Sequence, residues 1–100
     1  MVKHVILWQL KDDFTADKKQ EIAADAKKNL EGLKGKIDGL IDIKVITEFL
    51  ASSNADMMLD CTFENEAALK NYSVHPAHVA VADTYVRPFT KTRSCMDFKI

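Results

Sequence analysis

Long hydrophobic runs are missing from this chain: no stretch approaches the roughly 18 apolar residues of a membrane span, so no membrane partner is expected. Cysteine is scarce. Cys61 and Cys95 are too few and too far apart for a disulfide scaffold or a zinc ribbon, and a reducing cytoplasm is the expected location. With three glycines and two prolines, the chain shows no linker and no low-complexity tract. An excess of one charge is missing too. Fourteen basic side chains against 15 acidic ones leave a net charge of -1, which gives no global field to draw nucleic acid or an anionic membrane. There is no glycine-rich phosphate loop, no G-x-S-x-G and no aromatic platform for RNA. The opening residues lack the layout of a secretion signal, because His4, Gln9 and Lys11 interrupt the apolar run.

What is present is the balance of a soluble globular protein. Apolar residues make up 47% and charged residues 29% of 100 positions, and the length suits one domain spanning residues 1–100. Val2 to Leu10 is predicted as a strand, stopped by Lys11-Asp12-Asp13. Thr15 is placed to cap a helix whose stripe runs through Ile22, Ala26, Leu30, Leu33 and Ile37, with Gly32 and Gly35 fraying its end and Gly39 closing the loop. Leu40 to Leu50 and Asp56 to Phe63 are predicted as a hairpin around Ser52-Ser53-Asn54. Asn65 can cap a short helix that Pro76 interrupts. Pro76 also suits the first turn of a second short helix, to about Val86, and Lys91 to Lys99 ends the chain as a strand. The order βαββαβ is the ferredoxin-like α+β arrangement: a four-stranded antiparallel sheet with helices on one face.

The first strand is apolar on both sides. His4, Ile6, Trp8 and Leu10 point one way, while Val5 and Leu7 point the other between Lys3 and Gln9. A sheet with a solvated back would alternate more cleanly. A second copy of the chain, packed sheet to sheet as a dimeric α/β-barrel, is the simplest cover, against a few tolerated exposed apolar residues.

The segment Tyr72-Ser73-Val74-His75-Pro76-Ala77-His78-Val79 places a phenol and two imidazoles around a helix break. Imidazole exchanges protons near neutrality, and a phenol can orient or polarise a carbonyl. His75 and His78 are spaced as a possible metal pair, but further ligands are not evident, and His75 reads better as a cap or packing residue at the junction. His4 reads either as a core histidine bonded to a backbone carbonyl or to Tyr72, or as a pocket-lining group. Met57, Met58 and Met96 read as core or dimer filler. Cys61 and Cys95 fall on strands flanking the first and are not expected to pair or to react. Lys27, Lys28, Lys34 and Lys36, interleaved with Asp25, Glu31 and Asp38, read as a solvated face.

Three stretches carry a family likeness: Val2-Lys3-His4-Val5-Ile6-Leu7, Thr62-Phe63-Glu64-Asn65 and Tyr72-Ser73-Val74-His75-Pro76-Ala77-His78. Together they resemble the stress-responsive α/β-barrel (Dabb) family over almost the whole chain. The resemblance implies ferredoxin-like chains that dimerise through their sheets. It is notably similar to a plant polyketide cyclase of the family, which implies His78 and Tyr72 as a catalytic pair and His4, Ile6, Trp8, Val79 and Asp83 as substrate-binding residues. Tyr85 also matches that cyclase, in an Asp-x-Tyr after the second histidine. His78 would act as general base on a poly-β-keto chain, and Tyr72 would hold His78 or hydrogen-bond the attacked carbonyl. No metal and no organic cofactor is implied. Met57 stands where the cyclase has a histidine, and Ile22, Ala23 and Ala26 stand where it has helix aromatics. The smaller side chains would widen the cavity, unless Trp8 and Phe14 refill it.

These residues leave three functions open. One is a stress-related or small-molecule-binding homodimer in which His4, Tyr72 and His78 form a hydrogen-bond network. A second is a cofactor-free cyclase or isomerase acting by aldol or enol chemistry on a polyketide-like ligand. The third, a cofactor-free monooxygenase, has no sequence feature in its favour. An open cavity reaching Tyr72 and His78 would favour ligand binding or catalysis over a structural network.

Overall fold

A computed structural model describes residues 1–100. The chain forms β1 (Val2–Leu10), α1 (Ala16–Glu31), β2 (Leu40–Ile46), β3 (Met57–Phe63), α2 (Glu66–Val74), α3 (Pro76–Tyr85), a 3-10 turn (Arg87–Phe89) and β4 (Thr90–Lys99). The strands make one sheet in the order β2-β3-β1-β4, and every neighbouring pair is antiparallel. This is the ferredoxin-like α+β fold.

The helix starts are set by the residues that cap them. The Thr15 hydroxyl accepts from the Lys18 N–H, and the Asn65 side chain from the Ala68 N–H. His75 Nδ1 accepts from the Ala77 N–H at 3.1 Å. Each satisfies a backbone donor that the first helical turn leaves free.

Two elements are shorter than the sequence pattern. Strand β2 stops at Ile46, not Leu50. Its only neighbour is β3, whose pairing with it ends at Met58 opposite Ile46, so Thr47 to Leu50 have no ladder to join. Helix α1 stops at Glu31, yet Leu33 and Ile37 continue its stripe into the core from the turns that follow. Those turns need Gly35 at φ +85° and Gly39 at φ +82°. Gly39 is doubly constrained, since a Cβ there would collide with Ala68 Cβ on α2.

The helices lie over β1, β2 and β3 and leave the front of the edge strand β4 open. Beneath them His4, Ile6, Trp8 and Leu10 are buried against Ala26, Leu30, Leu59, Phe63 and Tyr72. Ala26, the small residue in the middle of the α1 stripe, is fully buried.

The back of the sheet has no cover within the chain. The register places Leu7 opposite Met58, Val5 opposite Met96, Lys3 opposite Phe98 and Ile46 opposite Met58, all on that side. Leu7, Ile46, Met96 and Phe98 are exposed there. Of the methionines read as filler, Met57 is in the core, Met58 is half-buried and Met96 lies on the open face. No helix is long and apolar enough to cross a membrane.

Candidate functional site

Helix α2 is short, and Tyr72 is its only buried residue. His75 then leaves the helical conformation at φ -65° and ψ 131°, as residues before proline favour, and Pro76 opens α3. This break folds α3 back so that the His78 ring lies against the Tyr72 ring, with centroids 4.1 Å apart and planes tilted by 34°. Phe63 holds the other side of Tyr72 at 5.0 Å, and the His4 ring meets Tyr72 edge-on at 6.1 Å.

The His4, Tyr72 and His78 rings face a cavity of about 360 Å³ between the sheet and the helices. Its walls are His4, Ile6 and Trp8 of β1, Leu59 of β3 and Leu30 of α1. Tyr72 and Ser73 of α2, His78 and Ala82 of α3, and Val86, Arg87, Thr90 and Arg93 near the start of β4 complete the lining. The volume falls at the low end of small-molecule pockets, about 300–1,000 Å³.

Two polar atoms stand out. The Tyr72 hydroxyl and His78 Nδ1 are both buried, and neither has a hydrogen-bond partner. Buried polar groups in folded proteins are nearly always paired, so two such atoms on adjacent rings in one cavity mark a place where a ligand or water belongs. Burial holds the Tyr72 phenol far above its ordinary range, reinforced by the neighbouring Cys61 thiol, so it remains a neutral donor. Burial pushes His78 below its ordinary value. The Ser73 backbone acts the other way, while Arg87, His4 and Arg93 add to the downward push. At neutral pH His78 is therefore an uncharged imidazole able to accept a proton. The Cys61 thiol is pushed up to about 12, chiefly by burial, which leaves it inert.

His4 does not join Tyr72 in a hydrogen-bond network, as one sequence reading had it. Its Nδ1 lies 2.5 Å from Asp97 Oδ1, the residue directly opposite on β4. Cys95 Sγ lies 3.8 Å from the same nitrogen and 3.5 Å from that carboxylate oxygen. His4, Cys95 and Asp97 are thus the set able to supply ligand atoms to a metal ion. His75 and His78 do not form such a pair, because His75 Nδ1 is engaged as the cap of α3.

Of the substrate-binding residues expected from sequence, His4, Ile6 and Trp8 line the cavity, while Val79 and Asp83 do not. His78 and Ala82 are one turn apart and share the inner face of α3. Val79 and Asp83 sit one residue further on, rotated by about 100°. Asp83 is exposed and binds Arg87 Nη1 at 2.5 Å. Phe14 packs on Phe89 at 5.9 Å and does not line the cavity, although Trp8 does; Met57 is buried and also lies outside the lining. Cys61 and Cys95 are free, with β1 between their strands. Sequence reasoning missed Asp97, Arg87, Arg93, Ser73 and Thr90. Alternation along β4 puts 93, 95 and 97 on one side, but only the pairing with β1 shows that this is the side of His4.

The stress responsive A/B barrel domain family matches residues 2–100. The chain belongs to the Dabb family. Among curated proteins, this Dabb chain is 30% identical to olivetolic acid cyclase of Cannabis sativa over 87 residues, covering 84% of the chain and 82% of the cyclase. Among solved structures it is similar to a dimeric protein of unknown function with a ferredoxin-like fold from Bacteroides fragilis. That match has 28% identity and a TM-score of 0.92, and covers 99% of this chain and 95% of that one. Hydroxynitrile lyase from Passiflora edulis shares the fold at 16% identity and a TM-score of 0.73, covering 99% of this chain and 92% of the lyase.

Proposed function

We propose that this Dabb protein is a homodimer that binds a small carbonyl compound in the cavity under its helices. The observation that carries the proposal is the Tyr72–His78 pair: adjacent, uncharged at neutral pH, and each with a buried polar atom left without a well-formed hydrogen bond. A carbonyl oxygen would accept from the Tyr72 hydroxyl and remove the cost of burying it unpaired. Dimerisation is supported by the uncovered back face bearing Val5, Leu7, Met58, Met96 and Phe98, and by the dimeric state of the Bacteroides fragilis relative. A cytoplasmic setting is in keeping with two free thiols.

The same pair favours a second reading, cofactor-free aldol or enol chemistry of the cyclase type. Neutral His78 would take a proton from a carbon between two carbonyls. The electron pair of that C–H bond would move onto a carbonyl oxygen held by Tyr72, giving an enolate. The enolate carbon would then add to a second carbonyl of the folded chain, and the imidazolium would return its proton to the new alkoxide. Kinship with olivetolic acid cyclase supports this reading.

Hydrogen–deuterium exchange at the central carbon of methyl 3-oxooctanoate, followed by NMR, tests both readings. The wild-type protein is expected to bind the ester and to speed exchange, and His78→Ala to bind it without speeding exchange. If the ester shifts no resonance of the cavity residues, the binding proposal falls. If binding occurs while exchange is no faster than in buffer, the catalytic reading falls.

A further inference from the structure

The cavity holds no carboxylate in its lining but two guanidinium groups, those of Arg87 and Arg93. They are not equivalent. Arg87 is already paired with Asp83 on the outer face of α3. Arg93 has no acidic partner anywhere in the chain. It sits directly opposite Trp8, on the strand front that the helices leave open, and so forms the side of the cavity across from α2 and α3. The next carboxylate along β4, Asp97, lies four residues further on and is engaged with His4. The cavity is thus polarised. One end offers an uncharged donor and an uncharged base; the other offers an unspent planar cation, whose fork of N–H groups matches the two oxygens of a carboxylate.

We infer that the ligand of this cavity is an oxo acid, its carboxylate held by Arg93 and its ketone oxygen by the Tyr72 hydroxyl. This rests on the binding reading above and names its ligand class. The assignment follows from complementarity. A neutral diketone would leave the Arg93 charge unused, and a ligand cation would meet only like charge on the walls. A carboxylate at Arg93 would also fix which carbon faces His78, because the acid and the ketone are anchored on opposite sides of one small cavity.

The test compares 3-oxooctanoate with its uncharged methyl ester, by calorimetric titration at neutral pH with the His78 ring resonances as a second readout. The acid is expected to bind at least about 10-fold more tightly than the ester, since charge-assisted hydrogen bonds exceed neutral ones. Arg93→Gln is expected to bring the ratio of acid to ester affinity down to about one, and Arg93→Lys to retain part of the preference. Arg93 is an exposed residue of an edge strand, so both variants should keep the fold. Equal binding of acid and ester by the wild-type protein overturns the inference while the carbonyl-binding reading stands. A preference that survives in Arg93→Gln also overturns it, by removing Arg93 from the account. If neither compound binds, the parent reading falls and the inference with it.

Discussion

Replacing Tyr72 by Phe should make the ligand-free protein more stable and its site inactive. The hydroxyl is buried in a residue only 1% exposed, and its one polar neighbour in the protein is the weakly bonding Cys61 thiol. Leaving a buried polar group unpaired costs about 1–3 kcal/mol. Because the cavity is large enough to admit water, the low end applies, and the gain on removing the hydroxyl is about 1 kcal/mol. For a chain of this size that corresponds to a rise in Tm of about 4–8 °C. The ring itself, packed between Phe63 and His78, is retained, so no cavity is created. The assay is a pair of melts by circular dichroism, with and without methyl 3-oxooctanoate. The ester should raise the Tm of the wild-type protein and leave that of Tyr72→Phe unchanged. A variant that melts lower than wild type would refute the reasoning, because the hydroxyl would then be holding the fold through a bond to the protein.

Other outcomes follow from the same structure. Leu7→Glu places a charge at the middle of the uncovered sheet face and should yield monomers in sedimentation at micromolar concentration, where the parent protein is expected to sediment as a dimer. His78 is more weakly basic folded than unfolded, so below its ordinary value the unfolded chain binds more protons. Its contribution to stability is present above that value and is lost as pH falls through and below it; Tm should drop more between pH about 7 and 5 for wild type than for His78→Gln. Gly39→Ala must adopt a left-handed conformation and displace Ala68, at a combined cost of about 2–4 kcal/mol measured by urea unfolding.

The local parts of this protein were legible from sequence. Thr15, Asn65 and His75 cap their helices because a cap and its donor lie within three residues of each other. Tyr72 and His78 meet because one proline turn separates them, and a break at Pro76 can be read without knowing what surrounds it. The two-sided greasiness of β1 was likewise visible in its alternation, and with it the uncovered sheet face.

What the chain could not reveal by itself was which distant residues share the cavity. His4 finds Asp97 across 93 positions, and Trp8 finds Arg93, through the register of β1 against β4. A shift of that register by one residue would turn both partners to the other face. The same holds for Asp83, which sequence likeness assigned to the substrate and the pitch of α3 turns outward to Arg87. Short-range hydrogen bonds and periodicity are properties of a segment, so they survive in the sequence. The charge that lines a cavity is a property of which strand edges meet, and only the folded sheet decides that.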